Sequence, residues 1–254
     1  DTSMERMAIQ FEKTAKTQAL VKKAMIYPIV VALVAVAVIV VMLVFVIPRY
    51  MDMFEELGTE LPAITLAVVA MSNFIKNFWY IIIPVIIGIV VAVKSYAATS
   101  SGKHLFGKIQ LKIPAIRNLV VKSACSQMAR TLSTLLAAGV PLVEAVDIVA
   151  ETMSNIWFKE ALKEATEQLI IGVPLSQPLQ TSGLFPPMVY HMIHIGEEAG
   201  STEEMLNKLA DYYDEEVEMA VQSLMAAMEP MIIVVLACIV GVLIAAVMAP
   251  MVEM

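Results

Sequence analysis

Two apolar stretches, residues 26–47 and 231–249, occupy the same place in what reads as one repeated unit. Superposing Pro28 on Pro230 without a gap brings Pro48 onto Pro250, Phe11 onto Tyr213, Ala8 onto Ala210 and Met4 onto Leu206. A polar helix thus runs twice into a proline-bounded apolar run, and a repeat of this kind fixes the architecture in which every other motif must sit. A long polar helical segment precedes the second copy, whereas only residues 1–24 precede the first. The expectation is a chain that starts part-way through its first copy.

Hydrophobic residues make up 59% of the chain and mean hydropathy is +0.78, where about half apolar is usual for soluble domains. Crossing a bilayer as a helix takes roughly 20 apolar residues. Three segments qualify: 26–47, about 78–97, and 231–249. The first is too long for the apolar region of a signal peptide and lacks a small-residue cleavage site.

Basic residues in short flanks are retained on the cytoplasmic side of a membrane. Lys13, Lys16, Lys22 and Lys23 precede the first span, and Lys94, Lys103, Lys108, Lys112, Arg117 and Lys122 follow the second with no acid among them. The loop 48–77 instead sets Asp52, Glu55, Glu56 and Glu60 against Arg49 and Lys76. The N-terminus and residues 98–230 are therefore expected in the cytoplasm, with 48–77 and the C-terminal tail 250–254 outside.

The fold class expected is all-α: a polytopic membrane protein with three transmembrane helices and a cytoplasmic six-helix antiparallel bundle. Residues 1–25 read as the terminal helix of a first cytoplasmic domain, 98–112 as a basic linker, 113–222 as the bundle, and 223–230 as the approach to the last span. Within the bundle, helices are expected over 118–138, 142–153, 156–170 and from Pro187 to Glu198. A short turn at 175–179 and a long helix opened by the capping box Ser201 and Glu204 complete it. Gly139 with Pro141, and Gly172 with Pro174, mark the joints.

Three motifs then follow in order: Ala129-Arg130-Thr131-Leu132-Ser133-Thr134-Leu135-Leu136 with Ala138-Gly139-Val140-Pro141-Leu142, next Gly196-Glu197-Glu198-Ala199-Gly200, and last Glu229-Pro230 before an apolar span. Together they make the whole chain resemble the inner-membrane platform protein family of type II secretion systems and type IV pili. That resemblance implies two tandem six-helix cytoplasmic domains with three spans, the first domain being represented here only by its last helix. It implies a non-enzymatic protein of the cell inner membrane that works with a cytoplasmic hexameric assembly ATPase, with pilin or pseudopilin subunits and with other inner-membrane assembly proteins. Self-association into a homo-oligomer within the lipid bilayer is implied too. Pro28, Pro48, Arg130, Gly139, Pro141, Gly196, Glu197, Gly200, Glu229, Pro230 and Pro250 carry the pattern and are expected to be architectural.

The net charge of −7 comes mostly from Glu197, Glu198, Glu203, Glu204, Asp211, Asp214, Glu215, Glu216 and Glu218, relieved only by Lys208. This excludes nucleic acid as a natural partner and reads first as the solvated face of an amphipathic helix. Glu198, Glu203, Glu204 and Asp211 are the candidates for docking a basic partner. His191, His194 and Glu197 share a helical face with the spacing of metal ligands, but a polar helix face is the simpler account. No cofactor, metal or catalytic residue is expected: the G-x-x-x-x-G-K-[ST] phosphate loop does not occur, and no nucleophile stands beside a base. Cys125 and Cys238 suggest neither disulfide nor zinc, and the nineteen methionines suggest adaptable packing rather than a copper site. A small oligomeric transporter or channel is the rival reading. It would require ionisable or unwound polar residues at mid-span, and the first and third spans contain no Asp, Glu, Lys, Arg or His.

Overall fold

A computed structural model describes residues 26–50, 53 and 62–252. The terminal helix expected over residues 1–25, the loop residues 51, 52 and 54–61 and the last two residues of the tail lie outside the described residues. Among the described residues there is no strand. The helices are α1 Ile26–Tyr50, α2 Ala63–Ala98, α3 Ser100–Lys112, α4 Pro114–Ala137, α5 Leu142–Thr152, α6 Ile156–Ile170, α7 Ser176–Thr181, α8 Pro187–Ala199 and α9 Thr202–Val252. The chain is all-α, and three of these helices carry apolar windows long enough to cross a membrane: Ile26–Tyr50, Thr65–Ala98 and Thr202–Ala249. Contacts divide the chain into two units, one holding Tyr96–Leu224 and the other Ala24–Ser95 with Met225–Met254.

In the first unit α5 and α6 form at the predicted places because their ends are chemically marked. Asn155 stands in extended conformation and its Oδ1 accepts the Trp157 N–H at 3.0 Å, capping α6; such a cap is worth about 1 kcal/mol. Gly139 (φ +81°) turns the chain after α4, with the Val140 N–H bonded back to Leu135 O at 3.0 Å, the left-handed closure that a side chain would oppose. Pro141 follows in extended conformation as the residue before α5, not within its first turn. Phe158, Met128, Leu132, Leu162, Leu179, Ile193, Leu206 and Leu209 are fully buried between these helices, each adding roughly 1.5–3 kcal/mol by its transfer from water. Phe158 meets Phe185 edge-on at 5.2 Å.

The basic linker expected over 98–112 is instead a helix, α3. Thr99 caps it, accepting the Gly102 N–H at 3.2 Å while donating to Tyr96 O at 2.6 Å. A Cβ on Gly102 would lie 1.8 Å from Tyr96 O, so the turn between α2 and α3 admits only glycine. The helix is then held by α6: the Trp157 indole N–H donates to His104 O at 3.3 Å and the Asn155 amide donates to Gln110 Oε1 at 3.1 Å. Lysines and glycines hid this helix, whose stability comes from contacts more than 40 residues away. With α3, seven helical elements contribute to this unit among the described residues, and six of them, α4 to α9, begin within 113–222. The α4 helix also begins earlier than expected, at Pro114, a first-turn position that suits proline.

In the second unit α2 starts at Ala63, so residues 63–77 are helical and run without a break into the second span. Its 36 residues span about 54 Å at 1.5 Å per residue, well beyond a hydrocarbon core of about 30 Å. Its first turns pack with the C-terminal ends of α1 and α9, burying Leu43, Ile47, Val68, Val69, Leu243 and Ala246. Toward their middles the spans are exposed on most sides, with Val34, Ile86 and Val234 each more than half accessible. That is the surface expected of helices solvated by lipid.

Two of the backbone acceptors that prolines orphan in this unit are met by side chains. In α1 the residues Met42–Val46 form a π turn, and the Ile47 N–H bonds Met42 O, five residues back. The Leu43 carbonyl would then look to residue 48, but Pro48 has no N–H. The Ser72 hydroxyl of α2 donates to it instead. In α9 the partner of the Ala246 carbonyl would be Pro250, which likewise has nothing to donate, and the Thr65 hydroxyl fills that place at 2.7 Å. Thr65 and Ser72 stand seven residues apart, two helical turns along one face. The two prolines that the internal repeat superposes thus create two orphan carbonyls, and one helix supplies both donors.

Candidate functional site

The motif residue Arg130 of α4 meets a polar face of α9 that no motif marks. Arg130, 5% exposed, donates to Asn207 Oδ1 at 3.0 Å, Asp211 Oδ1 at 2.6 Å and Asp214 Oδ2 at 2.6 Å. The Ser126 hydroxyl donates to the other oxygen of Asp214 at 2.5 Å, and Lys122 pairs with Glu216 at 2.5 Å. Reading up α4 through 122, 126 and 130 meets α9 at 216, 214 and then 211 with 207, so the two helices run in opposite directions here. Burial works against the charge on Arg130, but the hydrogen bonds and charges of Asp211 and Asp214 outweigh it and hold the guanidinium above its ordinary pKa. Arg130 Nε is buried without a hydrogen-bond partner.

This arrangement revises the reading of the acidic run. Asp211, Asp214 and Glu216 face α4 and bind its cations, whereas Glu198, Glu203, Glu215 and Glu218 point to solvent. Asp211, expected among the docking acids, is committed to Arg130 although its side chain is 48% exposed. Glu204 is exposed and pairs with Lys208 at 2.7 Å, which lowers its pKa. Next to this network Cys125 is fully buried, and burial pushes its thiol up to about 12 despite a hydrogen bond with Tyr213.

The Gly196 to Gly200 motif has a separate task. Glu197 Oε1 accepts the Leu175 N–H at 2.5 Å, and Oε2 accepts both the Ser176 hydroxyl at 2.7 Å and the Ser176 N–H at 3.3 Å. A carboxylate from α8 therefore caps the start of α7, where free N–H groups and the helix dipole favour negative charge. That use takes Glu197 away from the two histidines; His194 Nε2 instead lies 3.4 Å from Glu198 Oε1. Gly196 lets the chain fold back closely, since a Cβ there would come within 2.8 Å of Thr202 Cα. Gly200 (φ +66°) closes α8, with the Ser201 N–H returning to Gly196 O at 2.9 Å.

The remaining sequence candidates lie along α9 and in the spans. Glu229 and Pro230 are exposed within the unbroken helical run of α9. Pro28 and Pro48 fall within α1. Between α1 and α9 lies a groove of about 330 Å3 lined by Val30, Val34, Val38, Leu236 and Val240 among other apolar side chains, which offers a solute no polar contact. Three interactions had no local signal in the sequence: the contacts of Ser126 and Asn207 in the Arg130 cluster, and the Ser176 partnership of Glu197. Their partners stand 21 to 88 positions away.

The family model of the type II secretion system (T2SS) protein F matches residues 1–48 and 128–250. The chain belongs to this family. The two matched segments end at Pro48 and Pro250, the pair that the internal repeat superposes. Over 252 residues the chain is 40% identical to the type IV pilus assembly protein PilC of Pseudomonas aeruginosa, covering 99% of this chain and 67% of that protein. It is 36% identical to the type IV pilus assembly protein TapC of Aeromonas hydrophila, covering 98% and 61%. To the type IV pilus assembly protein PilC of Thermus thermophilus it is 35% identical, covering 99% and 62%. The chain thus spans about three fifths to two thirds of the length of these relatives.

Proposed function

We propose that this family member is the inner-membrane platform of a type IV pilus or type II secretion machine, coupling a cytoplasmic assembly ATPase to the extraction and polymerisation of pilin or pseudopilin subunits. The observation that carries the reading is the Arg130 cluster. It fixes the start of α9 to a helical bundle by five charged or polar contacts, and the same helix continues into an apolar span. Such a hold on α9 suits a protein that transmits force along that helix. The family's names, a pilus assembly protein and a secretion protein, fit this role. Residues 98–230 then lie in the cytoplasm, where the exposed acids Glu198, Glu203 and Glu204 are the surface offered to the ATPase.

In this reading the chain performs no chemistry, and energy enters through the partner. Placing a photo-crosslinking residue at Glu198, Glu203 or Glu204 of the whole protein in cells should recover the assembly ATPase. Recovery of other membrane assembly components alone would overturn the coupling to the ATPase.

A further inference from the structure

The helix α3, which sequence alone reads as a linker, has two dissimilar faces. One is committed to α6 through His104, Gly107 and Gln110, with a Cβ on Gly107 only 3.0 Å from Trp157 Cδ1. His104 also turns its Nε2 toward Glu160 at 3.2 Å on that side. The other face carries Leu105 and Ile109, 47% and 42% accessible, one helical turn apart. Ile113, 42% accessible, continues the stripe at the end of the helix. Lys108 and Lys112 flank it, and Arg117 follows at the start of α4, all exposed and without an ion-pair partner among the described residues. No acid interrupts the sequence from Lys94 to Lys122.

An exposed stripe of leucine and isoleucine gains by leaving water, whereas the lysines beside it are well hydrated. Both gain at a bilayer surface, where apolar side chains enter the acyl boundary and cations meet headgroup phosphates. Chain continuity argues for that surface over a protein partner: the membrane-length helix ends at Ala98 and α3 begins at Ser100. Lys112 also borders a cleft of about 530 Å3 with Arg117, Asn118 and Pro186, large enough for a glycerophosphate headgroup. We propose that α3 is an interfacial helix whose Leu105, Ile109 and Ile113 face seats in the membrane leaflet, held there by anionic phospholipid on Lys108, Lys112 and Arg117.

The inference is independent of the platform reading and needs only that α2 spans a bilayer. It is tested in the whole chain reconstituted into nanodiscs of phosphatidylcholine alone or with phosphatidylglycerol, in a Cys238→Ala background. An environment-sensitive fluorophore is attached at Leu105→Cys, with Glu164→Cys on the exposed side of α6 as the reference. With anionic lipid, the 105 probe should be blue-shifted and quenched several-fold more than the 164 probe by lipids spin-labelled near the headgroup. The triple variant Lys108→Gln, Lys112→Gln, Arg117→Gln should reverse the effect, the ratio of seated to free α3 falling about fivefold per cation. Quenching at 105 equal to that at 164 would overturn the proposal. So would strong quenching that is the same in phosphatidylcholine alone, or shielding in detergent that grows with protein concentration and so reports a second copy on this face.

Discussion

Arg130 of α4 reaches Asp214 of α9 at 2.6 Å from a position only 5% exposed, and the same aspartate also accepts the Ser126 hydroxyl. A buried ion pair contributes little net stability when whole, yet removing one partner strands the other. Arg130→Met should cost roughly 3 kcal/mol, toward the lower end for such a loss because Asp211 is half exposed. Asp214→Asn should cost more than Asp211→Asn, since Asp214 is the more buried of the two, 21% against 48% exposed. Thermal unfolding followed by circular dichroism in detergent checks the order, and equal effects at 211 and 214 would refute it.

Glu197 gives α7 an N-terminal acceptor that its own sequence lacks. Glu197→Ala should destabilise the bundle by about 1–3 kcal/mol, the cost of leaving the Leu175 and Ser176 donors unpaired. Ser176→Ala, which removes one of the three contacts, should cost less. Hydrogen exchange should localise the loss to residues 175–181, and a loss confined to α8 instead would contradict the assignment.

The thiol of Cys125 should resist modification. With its pKa raised from an ordinary 9.0 to about 12, only about one molecule in ten thousand carries a thiolate at pH 8. Disulfide exchange reagents at that pH should leave it unmodified until the protein is unfolded. The linkage has a definite sign, because the folded state holds the proton more tightly than the unfolded one. The stabilisation is therefore complete below pH 9 and is lost as pH rises from about 9 to about 12. Cys125→Ala should flatten that part of the stability profile, and an unchanged alkaline slope would count against it.

The bonds from Ser72 to Leu43 O and from Thr65 to Ala246 O make a sharper test, because the prolines that orphan the carbonyls can be replaced. Ser72→Ala and Thr65→Val should each cost about 0.6–1.7 kcal/mol, the range measured for polar contacts between membrane helices. In a Pro48→Ala background the alanine N–H can serve α1, so Ser72→Ala should become nearly neutral; Pro250→Ala should do the same for Thr65→Val. Steric trapping or unfolding in mixed micelles can complete both double-mutant cycles. Additive costs in both would mean that the prolines do not cause the need.

Pro230 lies within α9 and leaves the Ala226 carbonyl without its usual partner. If that local weakness serves the platform's work, Pro230→Ala should reduce pilus or secretion assembly while leaving the protein at normal abundance. Immunoblotting with a piliation or secretion assay reads both, and normal assembly would remove Pro230 from the mechanism.

What the sequence made legible were the features written locally. Asn155 and Gly172 bracket α6, Pro187 and Gly200 bracket α8, and all four act within a few residues of themselves. The apolar spans are equally local, being runs of composition. Helix α3 was hidden because its hold on α6 depends on Asn155 and Trp157, some 45 to 53 positions away. The inward turn of Asp211 and Asp214 was hidden for the same reason: an acidic run looks solvated until the basic and hydroxylic face of α4 is set against it. Arg130 and Glu197 stood out as motif residues, but one helps lock two helices and the other caps a third, and neither role can be told from spacing.

The paired hydroxyls of α2 bear on how such a chain is made. During synthesis α1 reaches the bilayer before α2 exists, with the Leu43 carbonyl still lacking the donor that will shield it. A polar contact between membrane helices is worth about 0.6–1.7 kcal/mol, and the Ser72 contact ties α2 to α1. The Thr65 contact spans 181 positions where the Ser72 contact spans 29. In a chain made from its N-terminus the Ser72 contact can form once α2 exists, and the Thr65 contact only after the end of α9 has followed.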